Sequence, residues 1–209
     1  MTPSLSTGAQ DEVVAFLRDP STFSEAGVDE VEIIELALLE GEHRSSDYKS
    51  VNELARVPSL KLDDGTVIGE SRAICTYLES VFPEPNLMGR DGLERAQIEM
   101  WDRRVELMLM MSIAGWFRHG HPKAAALEAK QSKEWSEMSE EQALKTADYF
   151  DRVLERTEFV AGDRFTNADI TLFICMNFGL YMRCKLWEGR PNLSRWFETM
   201  QARPMAAKD

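Results

Sequence analysis

Beyond Pro83-Glu84-Pro85-Asn86 and Gly89, every periodic stretch of this sequence is helical, whereas short strand-like clusters are confined to the residues before that break. The asymmetry calls for two units of different architecture. An α/β unit is expected over residues 1–83, a linker over 84–91 and an all-helical unit over 92–209. The chain of 209 residues, 44% of them hydrophobic, is long enough to give each unit a core.

Before the break, Val31, Ile33, Ile34 and Leu36 form a compact apolar cluster that reads as a buried strand. SLKL and TVIGE flank Asp63-Asp64-Gly65, and an Asp-Gly turn between two short apolar runs predicts an antiparallel hairpin. From Ser71 onward, Ile74, Tyr77, Leu78 and Val81 recur at helical spacing until Pro83 stops the pattern.

After the break a long helix is expected over 93–117, ended by Gly120 and Pro122, and a second from about Ser139 to Arg156 with Ala147, Phe150 and Leu154 on one face. Thr166 and Asp169 stand at capping-box spacing, with Phe165 and Ile170 placed for a hydrophobic staple, so a buried helix starts there. Leu193, Trp196, Phe197 and Met200 make a last stripe between Pro191 and Pro204.

A formal net charge of -12 disfavours nucleic-acid or membrane-surface binding, and no basic patch offsets it. The longest apolar run, Ile170 to Met182, is too short to cross a hydrocarbon core at about 1.5 Å per residue. MTPSLSTGAQDE lacks a basic start and apolar stretch, so the cytoplasm is the expected compartment. Cys75, Cys175 and Cys184 form no CxxC pair, and His43, His119 and His121 do not join them at metal-ligand spacing. Reduced buried thiols and no metal are expected.

The order strand, polar loop, Val-Pro, hairpin, Glu-Ser, helix, linker and capped helical unit resembles the soluble glutathione transferases. The residues that carry it are GEHRSSDYKSVNELARVPSLKLDDGTVIGESRAICTYLESVFPEPNLMG and EFVAGDRFTNADITL, and the likeness covers roughly residues 27 to 205. It looks closest to the bacterial-type serine or cysteine branches. The resemblance implies a thioredoxin-like first domain and an all-helical second one, glutathione as co-substrate, a small-molecule electrophile and a homodimer. It further implies a cis bond before Pro58, with the backbone of Val57 pairing with the cysteinyl part of the tripeptide. Glu70 and Ser71 would take the γ-glutamyl end at a helix N-terminus, and His43 and Arg56 the glycyl end. Ser71 as a simple helix cap is the structural alternative. The Thr166–Asp169 box resembles the family's folding motif and is excluded from the site.

The reactive group of the family sits just after the first strand, typically as Tyr, Ser or Cys, and the opening segment departs from that pattern. If TPSLS is a short first strand and DEVVAFL the first helix, Ser6 and Thr7 fall near the reactive position. If VVAFL is the strand, Ser21, Thr22 or Ser24 follow it. Ser6 is the preferred catalytic candidate. Met108, Met110, Met111, Trp116 and Phe117 are candidates for an electrophile pocket, Met108, Met111 and Trp116 foremost, with helix core as the other role for such residues. A non-catalytic binding or scaffold protein is the competing reading. A mixed-disulfide oxidoreductase ranks last, because no cysteine lies near the first helix.

Overall fold

The computed structural model describes residues 4–7 and 32–203, and the chain divides into two units, Met1–Pro85 and Asn86–Asp209. The division falls inside the predicted 84–91 linker. Its second part belongs to the helical unit: the Leu87 carbonyl accepts from the Asn167 backbone N–H, and Arg164 donates to the Asn86 side chain at 2.9 Å.

The first unit holds a four-stranded mixed sheet of β1 (Ser4–Thr7), β2 (Glu32–Glu35), β3 (Ser59–Lys61) and β4 (Val67–Gly69), in the order β2-β1-β3-β4. β1 runs parallel to β2 and antiparallel to β3, which pairs antiparallel with β4. The hairpin forms at the Asp-Gly turn. Gly65 adopts φ +88°, which a residue without Cβ accepts at little cost, and the Asp64 carboxylate accepts the Thr66 N–H at 2.8 Å. Leu60 on β3 is fully buried. Ile34, expected inside, is exposed, because β2 is the outer strand of the described sheet.

Helix α1 (Ser46–Val51) has no apolar stripe long enough to announce it; the Ser45 hydroxyl caps it by accepting the Tyr48 N–H at 3.2 Å. Helix α2 (Ser71–Val81) buries Ile74 and Leu78 as their spacing predicts, while Val81 at its end is exposed.

The helical unit comprises α3 (Gly92–Arg104), α4 (Met111–Gly120), α5 (Lys133–Leu154), α6 (Asn167–Tyr181) and α7 (Pro191–Gln201). The single helix expected over 93–117 is divided by a π-helical stretch, Val105–Met110, which shifts the face of everything after it. α5 begins at Lys133, six residues before the expected start. Its first turns carry exposed Lys133, Glu134 and Trp135 and so show no stripe, and the Ser132 hydroxyl caps them.

The core gathers Val105, Leu109, Ile113, Phe150, Leu172 and Trp196 from five segments. Two glycines let α4 lie close to α5: a Cβ on Gly115 would stand 2.6 Å from Ser139 Oγ, and one on Gly120 would collide with Ser136 Oγ. Buried Asp102 joins α3 to α6, accepting from Thr171 Oγ1 at 2.5 Å and Asn167 Nδ2 at 3.1 Å. The capping box is present in full. Among the described residues no helix is long and apolar enough to cross a membrane.

Candidate functional site

Strand register brings the predicted glutathione-site segments of the first unit together. Ser6 stands opposite Ser59, and Ser59 opposite Gly69. The end of β1, the start of β3 and the end of β4 therefore share one edge of the sheet. Val57-Pro58 enters that edge, and Glu70-Ser71 leaves it.

The Val57–Pro58 bond is cis, as expected from the resemblance. Pro58 is buried and Val57 half-buried, so the turn is fixed by packing while the backbone of Val57 lies at the sheet end. An extended peptide ligand is read by main-chain groups at such a position. Arg56 has an exposed side chain, whereas its carbonyl turns inward and accepts from Tyr48 Oη at 2.7 Å and Asn52 Nδ2 at 2.9 Å.

Glu70, not Ser71, is the N-cap of α2, and its side chain makes no capping hydrogen bond. Ser71 is the first helical residue. Its hydroxyl is therefore not the cap that sequence offered as the structural alternative, and the end of an eleven-residue helix keeps its attraction for an anion. Glu70 has φ +65° and ψ 121°, a conformation costly for a residue with a side chain. The strain turns the chain sharply from β4 into α2 and leaves the Glu70 carboxylate exposed, where it suits an ammonium group.

His43 lies on a 3-10 turn, Glu42–Arg44, that follows β2. Burial, and then the Arg44 charge beside it, lower its pKa below the ordinary histidine value, so near neutral pH it is an uncharged imidazole. Its buried Nδ1 has no hydrogen-bond partner. A neutral ring of this kind can meet an acceptor only as an N–H donor.

Ser6 is inside β1, with Thr7 the strand's last residue. The strand half of the first alignment is present, as Ser4–Thr7. DEVVAFL, Ser21, Thr22 and Ser24 lie outside the described residues.

In the helical unit, Trp116 is buried and lines an open cleft of about 500 Å3 with His119, Gln131, Lys133, Ser136 and Met182. His119 Nδ1 accepts the Ser132 N–H at 3.3 Å. Met108 and Met111 are exposed and do not line this cleft. The π-helical stretch between α3 and α4 alters the side that each presents. Met110 packs against the core, and Phe117 stacks on His121 at 5.1 Å. Among the described residues no group of His, Cys, Asp and Glu is arranged to hold a metal.

Sequence reasoning missed Tyr48, Asn52 and Ser59, which converge on the Val57–Pro58 turn. Their one legible signal is Ser45 ahead of Asp47, a helix-start pattern that places Tyr48 and Asn52 one turn apart.

A cis-proline strand start beside a helix N-terminus, on a small mixed sheet followed by a helical unit, defines a thioredoxin-like domain joined to an all-helical domain. Residues 21–81 match the glutathione S-transferase N-terminal domain family and residues 107–204 the C-terminal domain family. The chain is 35% identical to glutathione S-transferase 2 of Saccharomyces cerevisiae over 179 residues, 85% of this chain and 77% of the yeast protein. The crystal structure of Gtt2 from the same yeast superposes with a TM-score of 0.86 at 32% identity, covering 99% of this chain and 98% of the other. A glutathione S-transferase domain-containing protein of Marinobacter aquaeolei gives 0.87 at 33% identity, covering 98% of this chain and all of the other. The chain belongs to the glutathione S-transferase family of enzymes, which use glutathione as co-substrate.

Proposed function

We propose that this chain transfers the thiolate of glutathione to small apolar electrophiles. The observation that carries the reading is the convergence of Ser6, Val57–Pro58 and Glu70–Ser71 on one sheet edge. Val57 pairs with the cysteinyl backbone, the α2 N-terminus and Ser71 hold the γ-glutamyl carboxylate, and Glu70 takes its ammonium. Arg56 and His43 receive the glycyl carboxylate.

The chemistry is activation of the thiol. A free thiol titrates at about 8.5, so a site that lowers this by about two units supplies roughly 2.7 kcal/mol of differential stabilisation to the anion. Ser6 donates a hydroxyl hydrogen bond to the sulfur. The thiolate attacks an electrophilic carbon, a carbon–sulfur bond forms and the leaving group departs with its electron pair; a peroxide oxygen is the other electrophile of this class. The protein works as a cytoplasmic homodimer, for which sedimentation is the check.

Calorimetric titration with glutathione, alongside Ser71→Ala, tests the binding site: micromolar to millimolar affinity that weakens in the variant supports it. Conjugation of a generic aryl halide, lost in Ser6→Ala, supports the mechanism. Because Ser6 lies within a strand and not beyond its end, a second reading is binding without turnover, and glutathione affinity with no conjugation of any electrophile selects it.

A further inference from the structure

Tyr48 and Asn52 leave the last turn of α1 one helical turn apart and reach both sides of the cis bond. The Tyr48 hydroxyl donates to the Arg56 carbonyl at 2.7 Å, and Asn52 Nδ2 donates to the same oxygen at 2.9 Å. The second hydrogen of that amide goes to Ser59 Oγ at 3.1 Å. Ser59 Oγ is 3.0 Å from Tyr48 Oη, and since the tyrosine proton is already committed to Arg56, the serine is the donor of that pair.

These four bonds close a ring in which the Asn52 amide donates twice, the Arg56 carbonyl accepts twice, and the Tyr48 and Ser59 hydroxyls each donate once and accept once. The Asn52 carbonyl oxygen is taken as well, by the Leu54 N–H at 3.1 Å. Tyr48 and Ser59 are buried, at 6% and 2% exposure, which shields the Tyr48–Ser59 side of the ring from water, while the Asn52–Arg56 bond is exposed. Arg56 and Ser59 are the residues on either side of Val57–Pro58. The ring therefore fixes the spacing between the two residues that flank the Val57–Pro58 backbone.

We propose that Tyr48 and Asn52 are positioning residues for glutathione: they hold the Val57 backbone at the geometry that reads the cysteinyl segment. This rests on the glutathione reading above. The ring explains why a tyrosine hydroxyl on α1 and a serine at the start of β3 are buried where apolar residues would pack at less cost in desolvation. It also gives α1, only six residues long, a role beyond linking β2 to β3.

Tyr48→Phe keeps the ring's shape and removes two of its hydrogen bonds, and Asn52→Ala removes the other two. With the full-length protein, glutathione affinity by calorimetry and steady-state turnover of an aryl halide are compared in wild type and both variants. Each variant is expected to raise the KM and Kd for glutathione about five- to tenfold, the size of one or two lost hydrogen bonds. The KM for the electrophile and kcat at saturating glutathione stay within about twofold. The double variant Tyr48→Phe/Ser59→Ala weakens binding no more than about twofold beyond Tyr48→Phe alone, because the ring is already open.

Unchanged glutathione affinity in a folded Tyr48→Phe protein overturns the proposal while leaving the glutathione site intact. Equal losses in both KM values, or a fall in kcat alone, point to general disorder and overturn it too. If Tyr48→Phe does not fold, Ser59→Thr, which keeps the hydroxyl, and Ser59→Ala, which removes it, give the same comparison. Failure of the wild type to bind glutathione overturns both this inference and the reading beneath it.

Discussion

The Trp196 indole N–H, on α7, donates to the Asp169 carboxylate at 3.0 Å, and so the last helix of the structure is tied to the first turn of α6. The same carboxylate accepts the Val160 N–H at 2.8 Å and the Thr166 N–H at 2.9 Å. One fully buried side chain thus satisfies donors from a loop, a helix start and a second helix. Asp169→Ala strands these donors without water, and an unpaired buried donor costs about 1–3 kcal/mol. Chemical denaturation is expected to show a loss of about 3–5 kcal/mol.

Burial pushes the Asp169 pKa up to about 6 against the four hydrogen bonds that favour its anion. Between about pH 4 and pH 6 the folded protein keeps this proton and the unfolded chain has lost it. The stabilisation is therefore complete below the unfolded value and is lost as pH rises through about 6. This group lowers stability by about 3 kcal/mol across that window. Denaturation midpoints followed from pH 4 to 7 check it, and Asp169→Asn is expected to flatten this component of the slope.

Glu70→Gly is expected to move stability and binding in opposite directions. Glycine accepts φ +65° at little cost, so the melting temperature rises, by an amount equivalent to about 1 kcal/mol. Loss of the carboxylate removes the partner of the γ-glutamyl ammonium, and glutathione affinity falls about tenfold. Thermal melts and calorimetry on the same preparation separate the two effects.

Gly115→Val tests the close approach of α4 to α5. The new Cβ would lie within 3 Å of both Ser139 Oγ and Trp135 Nε1, so the helices must move apart. A loss of about 2–3 kcal/mol is expected by denaturation, with the glutathione Kd unchanged.

Arg44→Gln is expected to raise the His43 titration midpoint toward the ordinary histidine value without reaching it, because burial is the larger cause of the lowering and the Arg44 charge the smaller. The His43 imidazole resonances followed by NMR between pH 4 and 8 give both midpoints.

Sequence alone determined the features whose cause is local. The Asp63-Asp64-Gly65 turn, the Ile74–Leu78 stripe and the Thr166–Asp169 box each depend on residues within a few positions of one another, and each formed as the spacing required. The order of these signals also carried the family. Tertiary structure decided what spacing does not encode. Ser6, Ser59 and Gly69 became neighbours only through strand register, and Tyr48 and Asn52 met Arg56 and Ser59 only once a helix too short for periodicity had packed beside the cis bond. A π-helical stretch divided the single helix expected over 93–117, and one extra residue in a helical turn redirects every side chain that follows. Hydrogen-bond geometry between distant segments belongs to the folded chain, because no single segment holds both the donor and the acceptor.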